Sequence, residues 1–174
     1  MNTDTNQVLT FHKWTLELRD RADFRPKQVD RVDIKISRTE IPLTSFNRFF
    51  YKAVGTDYRW GGREQWNDSD WDQFVHNKQL ETWVLYVQGT PAGYSETEHA
   101  DDGSARIHTF GLLSPFFGQG LGAHFLSFVV NRAFDLDATR VWLTTCTKDH
   151  AHALSNYQSR GFQIIHEEDV PFAR

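Results

Sequence analysis

The stretch Phe110-Gly-Leu-Leu-Ser-Pro-Phe-Phe-Gly-Gln-Gly-Leu-Gly-Ala-His124 constrains this chain more than any other. It opens as an apolar strand, Ile107 to Leu113, turns through Ser114-Pro115, and enters a loop with glycines at 118, 120 and 122. Leu121, Phe125, Phe128, Val129 and Ala133 then recur at helical spacing, which predicts a helix to about Phe134. A strand, a glycine loop and a helix in that order make an anion site. The first N–H groups of a helix have no partner within it, and residues without a Cβ let a phosphate approach them. The loop is therefore expected to bind a phosphate-bearing cofactor, although three close glycines also suit a plain turn. Gly118, Gly120 and Ala123 fit a dinucleotide fingerprint, but that fold needs further strand–helix–strand units and an acidic residue about 20 positions on. The next strand, Arg140 to Thr145, ends in Thr145-Cys146-Thr147 with some 30 residues left, which excludes it.

The rest of the chain supplies the frame. Its 174 residues predict one domain, and six Trp and fourteen Phe provide material for a core. A net charge of −4 without a basic stripe argues against nucleic acid, and no apolar run is long enough for a membrane span. The polar start MNTDTNQ is not a signal peptide, and one cysteine, Cys146, forms no internal disulfide or multi-cysteine metal site. These features predict a cytoplasmic protein with no metal.

In order, residues 1–7 read as a loose terminus, 8–18 as an extended segment and 19–27 as a connector. Alternating Val32, Ile34 and Ile36 predict a strand, and Thr44 or Ser45 caps a helix that Gly55 ends. Asn67 to Asp70 cap a second helix to about Val75. Leu80–Val87 and Pro91–Glu98 flank a hairpin turn at Gln88-Gly89-Thr90. A strand to Leu113 follows, then the loop and its helix. Arg140–Thr145 is expected to return beside the first strand, and a helix from Asp149 to Arg160, ended by Gly161, leads to a last strand, Phe162–His166. The order β-α-α-β-β-β-α-β-α-β is an α/β (α+β) fold, with a mixed, mostly antiparallel sheet and helices on both faces.

That order, with the glycine loop between its fourth strand and third helix, resembles the GNAT superfamily of acyl-CoA-dependent N-acetyltransferases over about residues 32–166. Phe117-Gly-Gln-Gly-Leu-Gly122 corresponds to the family's [QR]-x-x-G-x-[GA] loop. Ala153, Tyr157 and Gly161-Phe162 match its fourth-helix pattern. Phe117 stands where Gln or Arg is usual, Gln119 where Arg is frequent, and Pro115 lies one residue late. The resemblance implies one N-acetyltransferase-like domain over 1–174, with 1–31 as an extension packed on it. It implies acetyl-CoA as co-substrate, with pyrophosphate on Gly118, Gln119, Gly120, Leu121 and Gly122 and pantetheine along Leu112 and Leu113, in a gap beside a bulged strand. Asn156 joins that cofactor set. Gly111 and Ser114-Pro115 are residues that could interrupt a regular ladder.

Acyl transfer to an amine needs a base on one side and an acid at the sulfur. By resemblance the acid is Tyr157, which is otherwise a core tyrosine sharing a helix face with Ala153. His108 shares strand parity with Phe110 and Leu112 and is the favoured base, unless a bulge reverses that parity. Glu96 and Glu98, on one face of the preceding strand, are its rivals, and all three could equally line a solvated face. Tyr58, Arg59, Trp60, Arg63 and Trp66 would wall an acceptor pocket, or the tryptophans would pack the helices. Three outcomes stay open: an acetyltransferase for a primary amine of a small molecule or peptide, a CoA-binding regulatory module without turnover, and a structural domain. Monomer and homodimer are both open.

Overall fold

A computed structural model describes residues 9–58 and 60–172. The terminus expected over 1–7, and Arg59, lie outside the described residues. The strands are β1 (Thr10–Leu18), β2 (Ile34–Arg38), β3 (Leu80–Val87), β4 (Thr90–His99), β5 (Ser104–Leu112), β6 (Arg140–Cys146) and β7 (Gln163–Pro171). The helices are α1 (Thr44–Gly55), α2 (Asp68–Val75), α3 (Leu121–Asp135) and α4 (Ala153–Ser159). The strands form one sheet in the order β2-β3-β4-β5-β6-β1-β7, and β5–β6 is its parallel pair.

Local chemistry explains most of these elements. Gln88 and Gly89 both have positive φ, the geometry that lets a two-residue turn follow the twist of β3 and β4. Asn67 and Asp70 cap α2 reciprocally, each side chain accepting from the other's backbone N–H. Helix α3 is apolar on most of its circumference, with Leu121, Phe125, Leu126, Val129 and Val130 fully enclosed. With α4 it covers one face of the sheet, where the main core gathers Leu16, Leu18, Ile107, Leu143 and Tyr157. On the other face Phe50 and Val54 of α1 pack on Val84 and Tyr94.

Four expectations about the frame are corrected. Strand β6 lies beside β5 and β1, not beside β2, which holds the opposite edge. The early segment Thr10–Leu18 is an inner strand because Trp14, Leu16 and Leu18 supply one apolar face to the main core. Its pairing with Gln163–Pro171 carries the last strand past His166. Helix α4 begins at Ala153 rather than Asp149, because the Asp149 carboxylate is turned back to accept from Thr145 Oγ1 at 2.6 Å and Cys146 N at 3.1 Å.

The feature that positions everything else lies between β5 and β6. They pair in parallel only over Ser104–Ile107 against Arg140–Leu143, and then part. At the same level β5 carries a bulge against β4. Thr109 opposes Glu96 and Ile107 opposes Thr97, so His108 is the extra residue. Gly111 does not break the ladder. It pairs with Tyr94, and a Cβ there would collide with Val54 of α1.

Beside the bulge lies a buried ion pair. Glu96 has no exposed surface and accepts from Arg63 Nη2 at 2.6 Å, Asn47 Nδ2 at 2.8 Å and Thr109 Oγ1 at 3.0 Å. Removing one partner of such a pair strands the other charge in the interior, a loss of about 3–5 kcal/mol. Glu96→Ala is expected to lower unfolding free energy by that amount in urea titrations. A change below about 1 kcal/mol would show that the pair does not hold this corner together.

Candidate active site

A cavity of about 830 Å³ passes through the sheet where β5 and β6 part. Its wall on one side is the glycine loop with α3 and α4, and on the other Tyr58, Trp60, Arg63 and Trp66. Ile107 to Leu112 form one lip, and Leu143 to Cys146 the other.

The loop has the geometry of an anion cradle. Gly118 and Gly120 have φ of 75° and 74°, which only glycine adopts without strain. Gly120 is the N-cap of α3 and offers no side chain to cap it. The first N–H of this region that finds an acceptor is that of His124, bonded to Gly120 O at 3.2 Å. Among the described residues, no backbone N–H from Gly118 to Ala123 has a protein acceptor. Gly118, Gly120 and Gly122 line the cavity, so this row of donors is available to a ligand.

Other expected cofactor residues divide. Asn156 and Leu112 line the cavity. Leu113 does not, because its N–H bonds Ala92 O at 2.8 Å on the β4 side. Strand alternation then turns the N–H and C=O of Leu112 and Phe110 toward the gap, so Phe110 takes the place expected of Leu113. The Gln119 side chain faces away, accepting from Arg31 Nη1 at 2.8 Å. The Leu121 side chain is wholly enclosed in the core, which leaves it only a backbone N–H to offer. The connector after β1 is also part of the site. It straps α4 to α3 through Arg25 N to Arg160 O, Lys27 N to Ser127 Oγ and Val29 N to His124 Nδ1. The sequence pattern marked it only as polar.

Tyr157 lies on the cavity wall, 7% exposed, between the rings of Phe110 and Phe162. Burial, reinforced by the nearby Asp149 carboxylate, pushes its phenol well above the ordinary range, so it stays protonated at neutral pH. Sequence reasoning missed Asp149, and no residue pattern around it announces the role. It accepts from Trp60 Nε1 at 3.2 Å as well as from Thr145 and Cys146, tying the Trp60 side of the cavity to β6. Of the described residues that line the cavity, Asp149 is the one carboxylate. Burial and Asp149 raise the Cys146 thiol too, which suits a packing role rather than a nucleophile.

His108 lines the cavity but not as strand parity predicted. The bulge falls on His108 itself, so its ring leaves the face of Phe110 and Leu112 and joins Glu98 and Phe74 on the α2 side. His108 Nε2 is 2.7 Å from Glu98 Oε2. A proton on Nε2 is donated to Glu98, which leaves Nδ1 as the acceptor. Burial pushes this imidazole below its ordinary value; the bond to Glu98 pulls it up, and Arg106 and Arg63 push it down again. Glu96, the expected rival, does not line the cavity, and its carboxylate is held by three donors. It anchors Arg63 rather than facing a substrate.

The aromatic residues Tyr58, Trp60 and Trp66 both pack on other rings and line the cavity. Trp66 packs on Trp71 and Phe74, and Trp60 on Tyr51, yet both line the cavity, as does Tyr58 against His150.

The sequence model of the acetyltransferase (GNAT) family matches residues 46–162, two thirds of the chain. The chain belongs to that family. Among solved structures it is similar to a GCN5-related N-acetyltransferase from Kribbella flavida, at 17% identity and a TM-score of 0.63, over 88% of this chain and 54% of that one. One from Sphaerobacter thermophilus gives 16% and 0.62 over 91% and 50%. An aminoglycoside acetyltransferase from an uncultured soil metagenomic sample, in complex with trehalose, gives 12% and 0.59 over 74% and 87%. At these identities the likeness is one of fold. This GNAT chain spans about half the length of the first two structures. Curated protein sequences give no match. No helix among the described residues is long and apolar enough to cross a membrane.

Proposed function

We propose that the protein is a cytoplasmic N-acetyltransferase that moves an acetyl group from acetyl-CoA to a primary amine of a small molecule or peptide. The observation that carries this reading is the row of unpartnered N–H groups from Gly118 to Ala123, opening on a cavity that crosses the sheet. Such a row suits a pyrophosphate, and the unpaired edge of β5 at Phe110 and Leu112 suits the amides of a pantetheine arm. The acyl group then arrives at the gap from the α3/α4 side, and the amine from the side of α1 and α2. One structure of similar fold is an aminoglycoside acetyltransferase, which supports the reaction class without naming an acceptor for this chain.

Acetyl-CoA supplies the activated acyl carbon. His108 Nδ1 takes the proton that the attacking nitrogen loses as its bond to that carbon forms, while Glu98 orients the ring. The carbon–sulfur bond breaks, and the Tyr157 phenol holds its proton ready for the leaving sulfur. Trp60 and Trp66 exclude water from the acceptor side.

Release of free thiol from acetyl-CoA across a panel of amines tests the function. Tyr157→Phe is expected to lower turnover on the responsive amine by about 10²–10⁴ while acetyl-CoA affinity holds within a few-fold. A rate within twofold of the parent would return Tyr157 to the core. Thiol release that no amine stimulates, with CoA still bound, would favour the regulatory module.

The pH profile tests the base. A base works deprotonated, so kcat/KM falls as pH drops through its pKa, and burial places that limb below the ordinary histidine value of about 6.5. With one acceptor throughout, His108→Ala removes the limb. Glu98→Gln moves it to lower pH, since the hydrogen bond that raises the imidazole is weakened. An unaltered limb in His108→Ala would hand the proton to another group.

A further inference from the structure

On the α1/α2 side of the gap, Arg63 and Arg106 both line the cavity, each with hydrogen-bonding capacity unused among the described residues. Arg63 is 8% exposed and boxed by the rings of Tyr51, Trp66, Trp71 and Phe74 at 4.8, 4.6, 5.0 and 4.2 Å. Its Nη2 holds Glu96, while its Nη1 is buried without a partner. Arg106, half-buried two residues before the bulge, stacks on Trp142 at 4.6 Å and has no carboxylate within ion-pair distance among the described residues. Buried donors are rarely left unpaired, and those at a cavity wall point to a ligand oxygen.

The chemistry of that ligand follows from the charges present. Glu96 and Glu98 are the nearby acids, and both are engaged: Glu96 by Arg63, Asn47 and Thr109, and Glu98 by Asn77 and His108. Two guanidiniums and two carboxylates balance before any ligand enters, with His108 neutral. A zwitterionic acceptor preserves that balance. A phosphate dianion adds uncompensated charge, and a polycation finds no free carboxylate, since Glu96 and Glu98 are engaged and Asp149 accepts from Trp60, Thr145 and Cys146.

From this we infer that the acceptor amine carries a carboxylate, received by the fork of Arg106 beside the Arg63–Glu96 pair, so that Arg106 sets acceptor specificity. The planar fork of a guanidinium matches a carboxylate with two parallel hydrogen bonds. The inference rests on the acetyltransferase reading, since the ligand is placed as acceptor or product.

Arg63 is a poor residue to replace, because its loss strands Glu96. Arg106→Gln removes one charge from a half-exposed site and leaves the Arg63–Glu96 pair intact. The probes are product analogues, N-acetyl amino acids and the matching N-acetyl amino amides, titrated by calorimetry into protein saturated with CoA. Across the set the acids are expected to bind about tenfold or more tightly than the amides, and Arg106→Gln to reduce that ratio to about twofold with CoA affinity unchanged. Equal affinity for acid and amide in the parent protein overturns the inference, as does an undiminished ratio in Arg106→Gln. Discrimination against the amides without acetyl transfer to any amine would count against the acetyltransferase reading and leave the carboxylate site standing.

Discussion

The structure depends on a parting of strands. β5 and β6 hold each other through Ile107 and Leu143 and then separate, because β5 bulges at His108 while β6 continues against β1. A buried sheet normally satisfies its backbone groups strand to strand, so an opening in its middle leaves one edge in want of partners. That edge, at Phe110 and Leu112, lies beside the loop whose N–H groups are also unpaired. One departure from a regular ladder thus supplies a passage, a backbone edge and the approach to an anion cradle.

The bulge also sorts the chemistry. It puts Thr109 and His108 on the same face, so Glu96 and Glu98 meet different partners. Glu96 is enclosed and neutralises Arg63, which holds four aromatic rings as one wall. Glu98 stays half-buried beside an imidazole at the cavity. Two glutamates on one strand face thereby acquire unlike roles, one in the frame and one at the site.

Much of this was legible in the sequence. The glycine loop, the caps of α2 and the hairpin at Gln88-Gly89 are local signals, set by φ preferences and side-chain capping, and they stand as expected. The place of β1 inside the sheet was not legible, because strand order is decided by pairing with Arg140–Cys146, more than a hundred residues on. Parity failed at His108 for a related reason. Nothing in Arg106-Ile-His-Thr109 marks which residue bulges; the register against β4 decides it. Asp149 and the strap at Arg25, Lys27 and Val29 act through backbone and long-range contacts that leave no periodic trace.

The proposed phosphate-bearing ligand is held by backbone donors at a gap in the sheet. Amide hydrogen exchange with and without CoA tests that most directly, because it reads those N–H groups themselves. CoA is predicted to slow exchange at Gly118 to Ala123 and at Phe110 and Leu112. The amides of β2 and β3, remote from the gap, should be unchanged. Unaltered exchange in the loop under saturating CoA, or protection confined to other elements, would contradict the account.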